Sequence, residues 1–463
     1  MIHDLVIRRG TIVTSGDHFV ADLAIRNGVV SAIGTNLEGM QILDAGGKLV
    51  LPGAVDPHVH LEMPIGQTAS SDDWHSGTLA AAYGGTTTVI DFVEPEPGEA
   101  LLQALKSRIR QASGRANIDY GLHMTITSAE KAILDQIPSV AQAGSTSFKL
   151  YTTYEGFRLE DGELLIAMEE IGRIGALAIV HAENSAIINY STEHSLDAGK
   201  GRPQSHAMSH PRAAETEAIR RVLTLADIVG TPIYIVHISS REGARILAEA
   251  KERGQACFGE TCPQYLLLTE EKYDLPGLEG AKFVCSPPLR TRDDNEALWG
   301  AITRGVIDTI GTDHCPFFFR GQKDLGRDDF TKIPGGLPGI ELRLPLIYCF
   351  GVYSGQLTLE RWIDVCCTSP AKLFGLYPKK GTLIPGADAD IVVFDPERRV
   401  EITKDMLHEN VDYSPYEGCI LQGFPDTVII AGRILIDRGE QVGPGGMGRF
   451  IARKLPALKG GSS

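Results

Sequence analysis

The sequence predicts an α/β protein, in which a (β/α)8 TIM-like barrel carries a smaller β-sandwich domain built from both chain ends. From residue 53 to residue 376, short apolar strands alternate with amphipathic helical segments, which is the pattern of a parallel barrel. Residues 1–52 and 377–442 instead show short alternating segments separated by turns, as antiparallel strands do. A chain of 463 residues is long enough for both units.

The N-terminal β segment, residues 1–52, contains two turn signals. Arg9-Gly10 separates two alternating stretches, residues 4–8 and 11–14, and is expected to be a turn. Asn27-Gly28 lies between two apolar runs, residues 22–26 and 29–33, which predicts a tight hairpin.

Eight apolar segments are expected to form the barrel strands, and they end near His60, Phe92, Thr125, Leu150, His181, His237, Thr261 and Asp313. Helical periodicity between them predicts helices over 71–83, 161–173, 210–229, 241–253 and 295–304. A doubly wound open sheet is the alternative that the same alternation leaves open.

The β-rich pattern returns after a predicted helix over 358–374. Residues 390–394 and 426–430 are apolar runs, and residues 431–437 echo residues 9–13. We therefore expect residues 377–442 to pair with residues 1–52, and residues 443–463 to form an extended tail. The tail contains a formal GxGxxG match, but no helix or βαβ unit follows it, so it does not predict a dinucleotide site.

Composition narrows the classes of partner. The net charge of −15 argues against nucleic acid and anionic membranes, which it would repel. Eight cysteines without framework spacing, no signal-like start and no long apolar run predict reduced thiols in a cytoplasmic protein. The remaining expectation is a small-molecule ligand. It need not be cationic, because a bound metal would dominate the electrostatic field at the site.

The first candidate site lies at residues 53–60. The strand period of two places His58 and His60 on one face, where two imidazoles can hold one divalent ion. Taken alone, the pair is explained more simply as two histidines satisfied by hydrogen bonds on a strand.

Other ligand-type residues follow predicted strands in the same way. The active site of such a barrel lies at the carboxyl ends of its strands. Each residue has a structural alternative, as a core histidine or a turn cap, but their recurrence at matching ends indicates one shared metal site. Its expected members are His58, His60, Lys149, His181, His237 and Asp313.

Lys149 cannot ligate a metal as an ammonium. It lies between Phe148 and Leu150, and burial beside two cations would favour the neutral amine. A neutral amine can add carbon dioxide and form a carbamate, whose two oxygens can bridge two metals. The alternative is a lysine that pairs with Glu155 or Asp161.

Several segments resemble the amidohydrolase superfamily, and most closely its dihydropyrimidinase and D-hydantoinase branch. The resemblance extends from about residue 5 to residue 450. It is carried by Asp56-Pro57-His58-Val59-His60, Ser147-Phe148-Lys149, His181-Ala182-Glu183-Asn184, Val236-His237-Ile238-Ser239, Gly259-Glu260-Thr261-Cys262-Pro263, Thr312-Asp313-His314-Cys315-Pro316 and Ser369-Pro370-Ala371-Lys372-Leu373-Phe374-Gly375.

The resemblance implies a dinuclear site. One divalent ion would be held by His58, His60 and Asp313 and the other by His181 and His237, with N6-carboxylated Lys149 bridging them. Zinc is the usual metal of the family, although manganese or cobalt suits the same ligands. A metal-bridging hydroxide would attack the ring amide of a dihydropyrimidine or 5-substituted hydantoin and yield an N-carbamoyl amino acid.

The resemblance also assigns residues around the metals. Asp313 would act as general base and acid, Tyr154 would stabilise the oxyanion, and Ser286 would bind the imide through main-chain groups. Relatives often have asparagine where this chain has Gly335, which puts ring selectivity in question. The family is commonly tetrameric, so a homo-oligomer is expected.

Two other functions remain open at this stage. Allantoinase or another cyclic-ureide amidohydrolase would use the same ligands. Dihydroorotase-like relatives carry arginine after His-x-His-Leu, where this chain has Glu62, which disfavours that activity. A non-catalytic dihydropyrimidinase-like scaffold is disfavoured because all six ligand positions are retained.

Overall fold

The computed structural model describes residues 2–66 and 68–458. At its centre is a sheet of eight parallel strands whose spatial order follows the chain order. The strands are Ala54–Val59, Thr86–Val93, Asp119–Thr125, Ser147–Tyr151, Leu177–His181, Ile233–Ile235, Cys257–Thr261 and Thr309–Ile310. All eight fall where the apolar runs predict them.

The sheet closes on itself. Val59, at the end of the first strand, forms a parallel bridge with His314, just beyond the eighth strand. The main-chain N–H of His60 donates to the His314 carbonyl over 2.8 Å. The predicted barrel is therefore confirmed, and the doubly wound open sheet is excluded.

Helices surround the barrel strands. The helix predicted over 161–173 has the predicted bounds. The stretch 358–374, predicted as one helix, is instead two short α-helices joined by wider helical turns over Asp364–Thr368. The α-helices are Trp74–Tyr83, Leu101–Ala112, Lys131–Leu134, Ile137–Gln142, Asp161–Arg173, Ser185–Asp197, Gln204–Ser209, Arg212–Val229, Arg241–Glu252, Pro263–Leu267, Arg292–Thr303, Arg343–Ile347, Leu359–Ile363 and Ser369–Leu373.

Both chain ends contribute to a second, mixed sheet, as expected. They meet where Leu49–Pro52 pairs antiparallel with the start of Ile391–Glu401. Buried apolar side chains of both ends, among them Leu23 and Ile391, form a core of their own. The nine strands are His3–Val13, His18–Arg26, Val29–Gly34, Gly39–Asp44, Leu49–Pro52, Ile391–Glu401, Ile420–Ile430, Arg433–Asp437 and Glu440–Gln441.

The two turn signals near the N-terminus have different outcomes. Asn27-Gly28 forms the predicted hairpin, with φ of 52° and 76°. The prediction of a turn at Arg9-Gly10 is wrong, because His3–Val13 is one strand, whose pairing register shifts between Ile7 and Gly10. Arg9 adopts a φ of 62° in this bulge, and a Cβ on Gly10 would lie 2.4 Å from Val50 Cγ2. The glycine therefore permits close packing within a bulged strand.

The C-terminal segment from residue 443 to residue 458 runs as an arm against the barrel. Gly448 N–H donates to the Ala116 carbonyl, Tyr120 N–H to the Arg449 carbonyl, and Ile451 N–H to the Tyr120 carbonyl. The arm thus covers the amino end of the third barrel strand, opposite the carboxyl ends that hold the candidate site. No helix in the described ranges is long and apolar enough to cross a membrane.

Candidate active site

One cavity of about 1470 Å³ opens at the carboxyl ends of the barrel strands. The structure brings all the predicted site residues to its walls. They are His58, His60, Lys149, Tyr154, His181, His237, Ser286, Asp313 and Gly335. Residues more than 270 positions apart in the sequence therefore line one space.

Three of the predicted ligands converge closely. His58 Nε2 and His60 Nε2 lie 3.2 and 3.3 Å from the same atom, Oδ1 of Asp313. One ligand-type atom from each residue lies within 4.8 Å of the others. Two imidazoles and a carboxylate at these distances suit a divalent ion such as zinc.

Glu260 orients this group, although its position in the sequence gave it no role. Its Oε1 lies 2.6 Å from His58 Nδ1 and accepts from the His237 main-chain N–H over 3.1 Å. Its Oε2 accepts from the Tyr234 hydroxyl over 2.9 Å. A carboxylate behind a histidine holds the proton on Nδ1 and turns Nε2 toward the ion. Two sequence signals pointed to Glu260: it is an acid at the end of a predicted barrel strand, and it lies in one of the segments that carry the family resemblance.

The second predicted pair, His181 and His237, is adjacent to the first. Their ring centroids are 4.6 Å apart, and the His237 ring lies 5.5 Å from that of His58. His181 Nε2 lies 2.9 Å from Glu183 Oε2, which leaves Nδ1 of that ring for a metal. The other carboxylate oxygen of Glu183 lies 2.9 Å from His210 Nδ1.

One ring nitrogen supports the metal interpretation independently. Nδ1 of His237 is buried without a hydrogen-bond partner among the described residues, as is Nδ1 of His60, but His60 faces Asp313 through its other nitrogen, Nε2. Burial lowers the pKa values of His58 and His237 well below the usual range, and burial also lowers that of His181. The imidazoles are therefore neutral near pH 7 and have lone pairs to donate.

Lys149 is buried among these groups. Its Nζ lies 5.0 Å from the Phe92 ring centroid and 5.1 Å from that of Tyr151. Burial lowers the pKa of Lys149 to about 8, although Asp313 and other nearby carboxylates oppose the shift. Among the residues that the structure describes, none forms an ion pair with Lys149, so the alternative pairing with Glu155 or Asp161 is not found.

The rim of the cavity carries Tyr154, Ser286 and Gly335. Tyr154 is 41% exposed, and its ring centroid lies 5.0 Å from that of His181. A Cβ on Gly335 would lie 3.6 Å from Ser286 Oγ, so these two residues face each other. The missing side chain at Gly335 leaves the space beside Ser286 open.

Three site residues adopt left-handed backbone conformations. The φ angles are 71° at Tyr154, 36° at His237 and 52° at Asp313. Such conformations cost free energy in residues other than glycine and persist where the surrounding structure imposes them. At these three positions the left-handed residue lies at or shortly after the end of a barrel strand and lines the cavity.

Glu62 lies outside this cavity. Its carboxylate accepts from Arg115 Nη2 over 2.6 Å and from Nη1 over 3.1 Å. Position 62 therefore presents no cation to the main cavity, in agreement with the sequence argument against a dihydroorotase.

Known proteins match this chain over nearly its whole length. A D-hydantoinase from Geobacillus stearothermophilus is 44% identical over 97% of this chain and 96% of its own length. A D-phenylhydantoinase from Escherichia coli strain K12 is 41% identical over 97% of this chain and 98% of its own.

Solved structures of similar proteins superpose on nearly the whole chain. A dihydropyrimidinase from Brevibacillus agri superposes with a TM-score of 0.96 at 42% identity, covering 98% of this chain and 99% of that one. An L-hydantoinase from Arthrobacter aurescens gives 0.90 at 32% identity, covering 98% and 100%. Residues 49–435 match the amidohydrolase family, and the chain belongs to that family.

Proposed function

We propose that this chain is a metal-dependent cyclic amidase that opens the ring of dihydropyrimidines or 5-substituted hydantoins and releases N-carbamoyl amino acids. The observation that carries the proposal is the convergence of six ligand-type residues, Tyr154, Ser286 and Gly335 on one cavity. The names of the full-length relatives, hydantoinases and a dihydropyrimidinase, support this substrate class.

Two divalent ions, most simply Zn²⁺, fit the donor set. His58, His60 and Asp313 would hold one, and His181 and His237 the other. Lys149, whose pKa of about 8 leaves part of the amine neutral at pH 7, would add carbon dioxide at Nζ, lose one proton and bridge both ions as a carbamate. Bound ions supply a water of lowered pKa and polarise the carbonyl under attack.

The protein groups then handle the proton and the substrate. Asp313 takes the proton of the attacking water at a carboxylate oxygen and returns it to the departing ring nitrogen. The Tyr154 hydroxyl donates to the oxygen that gains charge at the tetrahedral carbon. The main chain at Ser286 and Gly335 pairs with the imide of the ring and holds the scissile carbonyl over the metal ligands.

The reaction is tested by comparing dihydrouracil, 5-substituted hydantoins and allantoin as substrates of the zinc-loaded protein. We expect ring opening of the first two, two metal ions per chain, and loss of both activity and metal from Lys149→Ala. Lys251→Ala is the matched control, since Lys251 pairs with Asp308 outside the cavity. Turnover of allantoin alone would contradict the substrate class, and full activity of Lys149→Ala would contradict the bridging role.

We further propose a homotetramer, on the family resemblance alone. Light scattering of the purified protein would give the subunit number, and a monomer at micromolar concentration would contradict it.

A further inference from the structure

Lys323, a buried lysine outside the candidate metal ligands, bonds to two loop segments that line the cavity. One of these walls leads to Ser286 and the other to Gly335. Lys323 follows Gln322, which lines the cavity rim, but its own side chain is fully buried. Its Nζ donates to the Val284 carbonyl and to the Pro334 carbonyl, each over 2.9 Å. These carbonyls immediately precede Cys285-Ser286 and Gly335, where the main chain faces the cavity.

The two walls also bond to each other at the same point. Gly336 N–H donates to the Val284 carbonyl over 3.0 Å, so that oxygen accepts from both Gly336 and Lys323. Neither segment belongs to a barrel strand. The loop that carries Gly335 is also tied to the barrel through the bridge between Leu337 and His314, and Cys285 is also held by His206. The direct links between the two loops are these contacts of Lys323, Gly336 and Val284.

Lys323 has no counter-charge. It forms no ion pair with any residue that the structure describes, and the titratable groups around it include the thiols of Cys285 and Cys315 and the imidazole of His206. Burial raises the pKa values of both thiols, so they remain neutral at pH 7. Burial lowers the pKa of Lys323 to about 7. A buried cation without a partner is costly, so the two hydrogen bonds of Nζ are the contacts that offset this cost.

We propose that Lys323 is a positioning residue for ring recognition, and that its two carbonyl contacts set the spacing between the main chain at Ser286 and the main chain at Gly335. The inference rests on the proposed function, because it assumes that a cyclic ureide binds between these walls. It also accounts for a glycine at position 335. Lys323 holds the main chain through the Pro334 carbonyl, so no side chain on the cavity side of residue 335 is needed to position it.

The test compares the zinc-loaded wild-type enzyme with Lys323→Met, which keeps the length of the side chain and removes both donors. We expect KM for dihydrouracil and for a 5-substituted hydantoin to rise about tenfold while kcat changes less than threefold and the zinc content stays at two per chain. Lys251→Met, which loses a half-buried ion pair with Asp308 outside the cavity, is the control and should leave KM unchanged.

Amide hydrogen exchange gives a second readout that does not need turnover. In the wild type, the Gly336 N–H, which donates to the Val284 carbonyl, should be protected from exchange, and in Lys323→Met it should exchange at least tenfold faster. An unprotected Gly336 N–H in the wild type would overturn the proposal even if the variant failed to fold.

The outcomes separate the two hypotheses. No ring opening by the wild type, together with faster exchange in Lys323→Met, would reject the proposed function and keep the positioning role of Lys323 in the loops. Ring opening by the wild type with an unchanged KM in the variant would overturn the inference. A parallel loss of kcat and zinc would also overturn it, because general damage would then explain the effect.

Discussion

At the scale of single residues, the chemistry of the site depends on which partner each ring nitrogen meets. His58 presents Nε2 to Asp313 because its Nδ1 lies against Glu260. The convergence of the candidate ligands could be predicted, since each lies at the end of an apolar strand. The contacts of Glu260, Glu183 and His210 could not be predicted. Glu260 meets His58 and Glu183 meets His210 from distant parts of the sequence, and Glu183 reaches His181 only because the chain bends between them.

Glu260→Gln should weaken metal binding. The amide keeps the shape of the side chain but cannot hold the His58 proton as a carboxylate does, so we expect a metal affinity about 10–100-fold lower. Competition with a chelator measures it. Glu341→Gln is the matched control, because Glu341 is an equally buried acid beside a histidine, His408, outside the ligand set. Equal affinities for Glu260→Gln and wild type would contradict the role of Glu260.

Tyr154→Phe should lower kcat by about 10²–10³, because the variant loses one donor to the developing oxyanion. Metal content should not change, since Tyr154 stands on the rim and is not a ligand. Steady-state kinetics on a 5-substituted hydantoin measures the effect, with the exposed Tyr190 changed to phenylalanine as the control. A kcat within threefold of wild type would exclude Tyr154 from the reaction.

His206 should make stability depend on pH. Burial lowers its pKa to about 3, against 6.5 in the unfolded chain. Between pH 6.5 and 3 the unfolded chain therefore binds the extra proton, and stability falls as the pH falls through this window, by up to about 1.4 kcal/mol per unit.

His206→Gln removes this titration while its amide can still donate to the Cys285 carbonyl, which His206 Nε2 contacts at 2.7 Å. Urea unfolding of the metal-free proteins should show a shallower pH slope for the variant, by one proton. His194→Gln, on an exposed helix, is the control. Identical slopes for wild type and His206→Gln would show that His206 does not carry the linkage.

At the scale of elements, the strands were predictable because buried parallel strands are continuous apolar runs of limited length. Deviations within elements were not. The bulge at Arg9-Gly10 depends on Val50 packing from a neighbouring strand, and the widened turns over Asp364–Thr368 lie within a pattern that is helical throughout. Local sequence specifies the type of an element, but the contacts from other elements specify its irregularities.

Gly311, directly after the eighth barrel strand, packs closely against Glu260 on the seventh strand. A Cβ on Gly311 would lie 2.5 Å from Glu260 Oε2 and 3.2 Å from His58 Cβ. Gly311→Ala should therefore displace Glu260 from His58 and lower metal affinity about as much as Glu260→Gln does. Gly16→Ala, with open space around it, is the control. Unchanged metal binding in Gly311→Ala would mean that the two strands can separate without disturbing the ligands.

At the scale of the whole molecule, the barrel is joined to the other parts of the chain away from the active site. Lys380 Nζ donates to Asp119 at the start of the third barrel strand over 2.6 Å, and to Asp390, just before Ile391–Glu401 of the mixed sheet, over 2.7 Å. The sequence predicted that both chain ends form one β domain. It could not predict this buried junction, because its members are ordinary charged residues in sequence.

The C-terminal arm should contribute to stability without contributing to catalysis. A Cβ on Gly448 would lie 1.9 Å from the Ile118 carbonyl oxygen, so Gly448→Ala must move the arm away from the third barrel strand. We expect the free energy of unfolding to fall by about 1–3 kcal/mol, as for other overpacked sites, with kcat and KM unchanged.

Urea unfolding and steady-state kinetics together measure the effect of Gly448→Ala. Gly162→Ala is the control, since that helical glycine has no neighbour within 4 Å of a new Cβ, and alanine there should raise stability by about 0.5–1 kcal/mol. If Gly448→Ala were as stable as wild type, the arm would not need its contact with Ile118. If it lost activity at full stability, the arm would influence the opposite end of the barrel, and the separation between a stabilising amino-end face and a catalytic carboxyl-end face would fail.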